Sequence, residues 1–123
     1  MIEMLPGLPG NVVGIEGVGD VSSDDYNDVL IPAVEAALEQ HDKVRLLYVL
    51  GERFDRISAG AAWEDTKLGL EHLRGWERMA VVTDVGWIDH ALKAVGWMIP
   101  AKIRVFPTSE RAAAEAWVTG NNS

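Results

Sequence analysis

Apolar and polar positions along the chain follow two periods. Short stretches with a two-residue step alternate with longer ones at a three-to-four-residue step. Residues 2–5 and 12–18 read as strands, separated by the turn dipeptides Pro6-Gly7 and Pro9-Gly10. In the second strand, Val12, Gly14, Glu16 and Val18 share one face, and Val13, Ile15 and Gly17 the other. Gly14, Gly17 and Gly19 thin it, which points to a bulge or a close backbone neighbour. Ser22 then caps a helix whose first turn carries Asp24 and Asp25. Tyr26, Val29, Leu30, Ala33, Val34, Ala37 and Leu38 form one apolar stripe running to Gln40. Pro32 lies inside it, lacks a backbone donor, and predicts a kink.

Residues 44–50, VRLLYVL, predict a central strand covered on both faces. The following segment 51–60 is polar, carries two arginines and reads as a loop. A second helix is predicted over 61–74, with Trp63, Thr66, Leu70 and Leu73 on one face and Gly75 as its stop. Residues 79–83 predict another buried strand. Trp87, Ile88, Ala91, Leu92 and Val95 make the stripe of a third helix, closed by Gly96 and Pro100. Residues 102–106 form the last strand, and a final Ala-rich helix starts at Thr108 and runs to Val118. The order ββαβαβαβα predicts a single α/β domain over residues 1–118, with residues 119–123 as a disordered tail. Its core is a mixed five-stranded sheet with four helices, a hairpin first and parallel crossovers after it.

The segments that place the fold are Tyr26-x-x-Val29-Leu30-Ile31-Pro32, Lys43-Val44-Arg45-Leu46-Leu47, Trp63-Glu64-Asp65-x-Lys67, Arg78-Met79-Ala80-Val81-Val82-x-Asp84-x-x-Trp87, Val105-Phe106 and Glu115-Ala116-Trp117. In this order the chain resembles the SpoIIAA-like family, within the wider group of STAS and Sec14-like domains. The anti-sigma-factor-antagonist branch implies a phosphorylatable serine in an Asp-Ser-Ser-Gly-like loop before the second helix. Here that loop reads Phe54-Asp55-Arg56-Ile57-Ser58-Ala59-Gly60, and it lacks the adjacent Asp-Ser pair. Ser58 stands near the implied place. The Sec14-like side implies an apolar ligand or a lipid.

Composition narrows the function. Nineteen acidic against eleven basic residues give a net charge of −8, which opposes binding to a nucleic-acid backbone. There is no cysteine, so neither a disulfide nor a thiolate metal site arises. No two of His41, His72 and His90 have metal-ligand spacing, and neither metal nor cofactor is expected. The N-terminus has no basic-then-apolar leader pattern, and no apolar run is long enough to span a bilayer. A cytoplasmic location is the expectation. The glycines of residues 14–19 lack phosphate-loop spacing and stand beside Glu16 and Asp20, so they read as a bulge and turn.

The candidate binding residues are Phe54, Asp55, Ser58, Trp63, Asp65, Trp76, Asp84, Trp87 and Trp97. Asp84 follows a strand and precedes a helix, where open α/β sheets gather ligands, and where an aspartate also serves as a cap or an ion-pair partner of Lys67 or Arg78. Asp65 suits the first turn of its helix. Trp63, Trp87 and Trp117 fall on helical stripes and are expected to fill core. Trp97 and Trp76 are candidates for a docking patch, with Lys93, Lys102 and Arg104 as a basic rim, although a core role is the favoured expectation for each. The leading expectation is a non-catalytic module that binds a protein partner or a second copy of itself through a helix face, with the Pro32 helix and the 51–60 loop as surfaces. The alternative is a binder of a small apolar ligand or lipid, under a mobile second helix, with peripheral membrane contact. Catalysis would require Asp65, Asp84 and His90 to converge.

Overall fold

The computed structural model describes residues 1–58, 60–61, 75–95 and 101–120. The expected helix over 61–74, apart from Ala61, lies outside the described residues, and so do Trp63, Asp65 and Trp97.

Five strands form the main sheet: β1 (Ile2–Met4), β2 (Val12–Gly17), β4 (Val44–Leu50), β6 (Trp76–Thr83) and β7 (Lys102–Phe106), in the spatial order β1-β2-β4-β6-β7. β1 runs antiparallel to β2, and every other pair is parallel. β4 is central, with β6 beside it, as the apolar runs require. Period-two alternation sorts β4 cleanly. Val44, Leu46, Tyr48 and Leu50 enter one core layer, and Leu47 and Val49 enter the other.

The first layer is roofed by a continuous helical run. It begins as α1 (Ser23–Asp25), widens into a π-helical turn (Tyr26–Leu30), and continues as α2 (Ile31–Gln40). Ser22 and Asp25 close a reciprocal capping box at its start. Tyr26, Leu30 and Val34 are fully buried, one turn apart, and the rest of the expected stripe packs beside them. Pro32 occupies the start of α2, and the Ile31 N–H donates to the Tyr26 carbonyl five residues back. The distortion at Pro32 therefore takes the form of a wide turn before it. That turn opens the spacing where a proline ring would strike the carbonyl four residues earlier. Ile88 of α3 (Gly86–Val95) joins the same layer. The opposite layer is covered by α4 (Arg111–Thr119), entered through a 3-10 turn at Thr108–Glu110, with Ala114 and Val118 buried.

Two features differ from the sequence reading. Segment 51–60 contains a strand, β5 (Phe54–Ile57), which pairs in parallel with β3 (Gly19–Val21) as a separate two-stranded sheet. The strand is held from outside itself. Arg53 pairs with Glu3 at 3.0 Å and Glu16 at 3.6 Å, and Arg56 with Asp20 at 3.1 Å. The expected bulge is present as a register shift between Gly19 and Asp20, with Gly19 at φ +63°. At Gly14 and Gly17 the nearest atoms belong to the side chains of Leu5, Leu8, Leu50 and Val21, in place of the expected backbone.

The second difference is Trp87, which is 55% exposed instead of filling core. Ile88 points inward, so Trp87 stands a quarter turn to the side. Ala91, one turn on, is exposed with it.

Candidate functional site

The loop singled out by the resemblance is anchored at both ends. Phe54 opens β5 and is buried, 9% exposed, in the layer under α2. Asp55 and Arg56 are exposed on the same strand. The β3–β5 ladder continues one step further, because the Ser58 N–H donates to the Val21 carbonyl at 2.9 Å. The Ser58 hydroxyl oxygen accepts from the Ala61 N–H at 3.0 Å. Ser58 is thus an exposed serine capping the first turn of a helix that opens at Gly60. Gly60 packs against Ser23, so this corner abuts the start of α1. Within α1, burial would raise the Asp25 carboxyl, but hydrogen bonds from the Ser22 N–H and hydroxyl, together with the N-terminal ammonium 3.3 Å away, outweigh it, and the pKa lies below the ordinary value.

Asp84 lies at the carboxyl end of β6, exposed. It accepts from the Thr108 N–H at 3.0 Å and from the Thr108 hydroxyl. The hydroxyl bond and the amide bond hold its carboxyl below the ordinary range. Asp84 therefore ties the end of β6 to the turn that starts α4. Arg78, one of its expected partners, is turned to the opposite end of the sheet, 3% exposed. There it donates to the carbonyls of Trp117, at 2.6 Å, and Gly120.

Asp84 also borders a groove of about 610 Å³ between α3 and β7. Trp87 does not line it. Trp76 is 1% exposed and is a core residue, its Nε1 buried without a hydrogen-bond partner. Hence the described candidates separate into an exposed group (Asp55, Ser58, Asp84, Trp87) and a core pair (Phe54, Trp76). No hydrogen bond or ion pair joins Ser58, Asp84 and His90 among the described residues. No cluster of three or more His, Asp or Glu suited to a metal occurs among them either. None of the described helices is long and apolar enough to cross a membrane.

Sequence reasoning missed the partners of these groups. Thr108 reads only as a helix start, Asp20 only as a turn acid and Val21 as neither, and no local signal marks any of them as a partner. Each becomes a partner only through sheet order.

A crystal structure of an uncharacterized protein of the DUF3478 family from Shewanella loihica PV-4, described as having a SpoIIAA-like fold, superposes with a TM-score of 0.74. The two are 25% identical over 96% of this chain and 92% of that one. The structure of the anti-sigma factor antagonist SpoIIAA in its unphosphorylated form gives a TM-score of 0.59 at 12% identity, over 95% of this chain and 98% of that one, a likeness of fold. No curated protein matches the sequence. The family model described as SpoIIAA-like matches residues 12–119, and the chain belongs to the SpoIIAA-like family.

Proposed function

We propose that this protein is a non-catalytic regulatory module acting through protein–protein contact, with the corner of β3, β5 and Ser58 as its switchable surface. The observation that carries the reading is the placement of Ser58. Its side chain is exposed, its amide is fixed by Val21, and its hydroxyl sits on the first turn of a helix. A phosphoryl group at that position meets helix amides and the positive end of the peptide dipoles. It also adds negative charge beside the acidic start of α1, where Asp24 and Asp25 lie. Phosphorylation would thus change the charge of the corner without dismantling the sheet. The likeness to a protein described as an anti-sigma factor antagonist supports the regulatory class, although the adjacent Asp-Ser pair is absent here.

The test is mass spectrometry of protein purified from its native host, combined with affinity capture by the wild type, Ser58→Ala and Ser58→Glu. A phosphorylated Ser58 and a partner retained by Ser58→Ala but released by Ser58→Glu are expected. Capture of the same partner by all three, with Ser58 unmodified under every growth condition, would remove the switch. The second reading, a small apolar ligand or lipid beneath the 61–74 segment, has less support among the described residues, because Trp76 is packed into the core.

A further inference from the structure

Among the described residues the main sheet has two edge strands, β1 and β7. β7 pairs with β6 on one side, and among the described residues no strand covers its other side. A free edge presents unpaired backbone donors and acceptors to any extended chain laid beside it. The groove between α3 and β7 runs along this edge. Leu92, Ile103, Val105 and Pro107 give it apolar walls.

Side chains of β7 divide by parity. Ile103 and Val105 face the layer under α3 and line the groove. Lys102 and Arg104 fall on the other face, both exposed. The Arg104 guanidinium lies 4.7 Å from the Phe106 ring and 5.4 Å from the Trp117 ring, which fixes its position at the edge. The acids of the groove are already engaged, Asp84 by Thr108 and Asp89 by Lys93 at 3.1 Å.

We propose that β7 is a docking edge for an acidic, extended peptide segment of a partner protein. The peptide adds as a sixth strand, places alternate apolar side chains in the groove against Ile103 and Val105, and sets its acidic side chains beside Lys102 and Arg104. Charge selects this occupant. The chain carries 19 acids against 11 bases, yet both charged side chains of β7 are basic. A second copy docked edge to edge would bring the Lys102 and Arg104 of each copy close to those of the other, a like-charge contact that disfavours self-pairing. The inference does not rest on Ser58.

The probe is a short blocked peptide of alternating valine and glutamate, titrated into the isotope-labelled full chain and followed by amide chemical shifts. Shifts are expected at Lys102–Phe106 and at Leu92 and Lys93. A valine–lysine peptide of equal length should bind about tenfold more weakly, the effect of reversing the charge complement. N-methylation of the backbone nitrogens that face β7 should abolish binding, because strand addition uses those donors. Lys102→Glu should weaken the valine–glutamate peptide by about fivefold, as a rim charge does, with an unchanged circular dichroism spectrum. Four results would each overturn the proposal. They are shifts centred away from β7, equal binding of the two peptides, undiminished binding after N-methylation, and no binding at millimolar peptide.

Discussion

Arg78 grips Trp117 in two ways. Its Nη1 donates to the Trp117 carbonyl at 2.6 Å, and its guanidinium lies 5.4 Å from the centre of the same residue's indole. Arg45, its direct neighbour across the β4–β6 ladder, donates to the carbonyls of Val118, at 2.9 Å, and Gly120, and pairs with Glu77 at 2.5 Å. Two adjacent strands thus each supply a cation to the carboxyl end of α4. Carbonyls left open at a helix end, and the negative end of its dipole, are satisfied together.

Arg78→Met keeps most of the volume and removes the donors. It is expected to destabilise the fold by about 1–3 kcal/mol, the cost of leaving the part-buried Trp117 carbonyl without its donor, while Arg45 still serves Gly120. Urea unfolding measures the loss, and hydrogen exchange should show it concentrated in α4.

Asp84 supplies a pH signature. Its folded-state pKa lies below that of an ordinary aspartate, so the stability it contributes is present above the unfolded value. That contribution fades as pH falls through the folded-state value. Wild type and Asp84→Asn should therefore differ most in unfolding midpoint near neutral pH and converge as the pH drops below the ordinary carboxylate range. Equal midpoints at neutral pH would show that the Thr108 clamp contributes nothing to stability.

The glycines separate sterics from backbone strain. A Cβ on Gly17 would stand 2.6 Å from Leu50 Cδ2, inside packed core, so Gly17→Ala is expected to cost about 1–3 kcal/mol by overpacking. A Cβ on Gly19 meets nothing within 4 Å, but its φ of +63° is left-handed. Gly19→Ala should cost about 1–2 kcal/mol, and Gly19→Asn less, since asparagine tolerates that region. Thermal unfolding of the three variants gives the ranking.

Ser58→Ala removes the cap on Ala61 and should cost about 1 kcal/mol, while Ser58→Asp restores the acceptor and most of the stability. Chemical denaturation distinguishes them. If the alanine and aspartate variants unfold together below wild type, the hydroxyl is acting through something other than the cap.

Some of this was readable in the linear chain. The stripe from Tyr26 to Leu38 is legible because a helix buries every third or fourth residue whatever it packs on, and all seven predicted positions lie in one core layer. The VRLLYVL strand is legible because a central strand has two dry faces. β5 was not. Asp55 and Arg56 are exposed, so no apolar rhythm announces a strand there, and its ladder depends on β3, more than thirty residues earlier. The sequence puts Trp87 inward because its helix shows an apolar stripe wide enough to be rotated either way. Packing against the sheet chose Ile88. At the candidate site, Ser58 was singled out by resemblance, whereas the role of Asp84 followed only from where β7 delivers Thr108.

Local order and sidedness belong to the sequence by itself. Period, cap residues and turn dipeptides decided the segments of the main sheet and its first helix and which faces of them turn inward, because those preferences act within a few residues, whereas β5 and the inward face of α3 waited on packing. Tertiary structure alone decided which distant groups meet. Arg45 and Arg78 reach the end of α4, Arg56 reaches Asp20, and Asp84 reaches Thr108 because the strand order β1-β2-β4-β6-β7 and its registers bring them together. The physical reason is that a charged or hydroxyl side chain carries no periodic mark of its partner. Its bond is set by geometry that exists only once the sheet has closed.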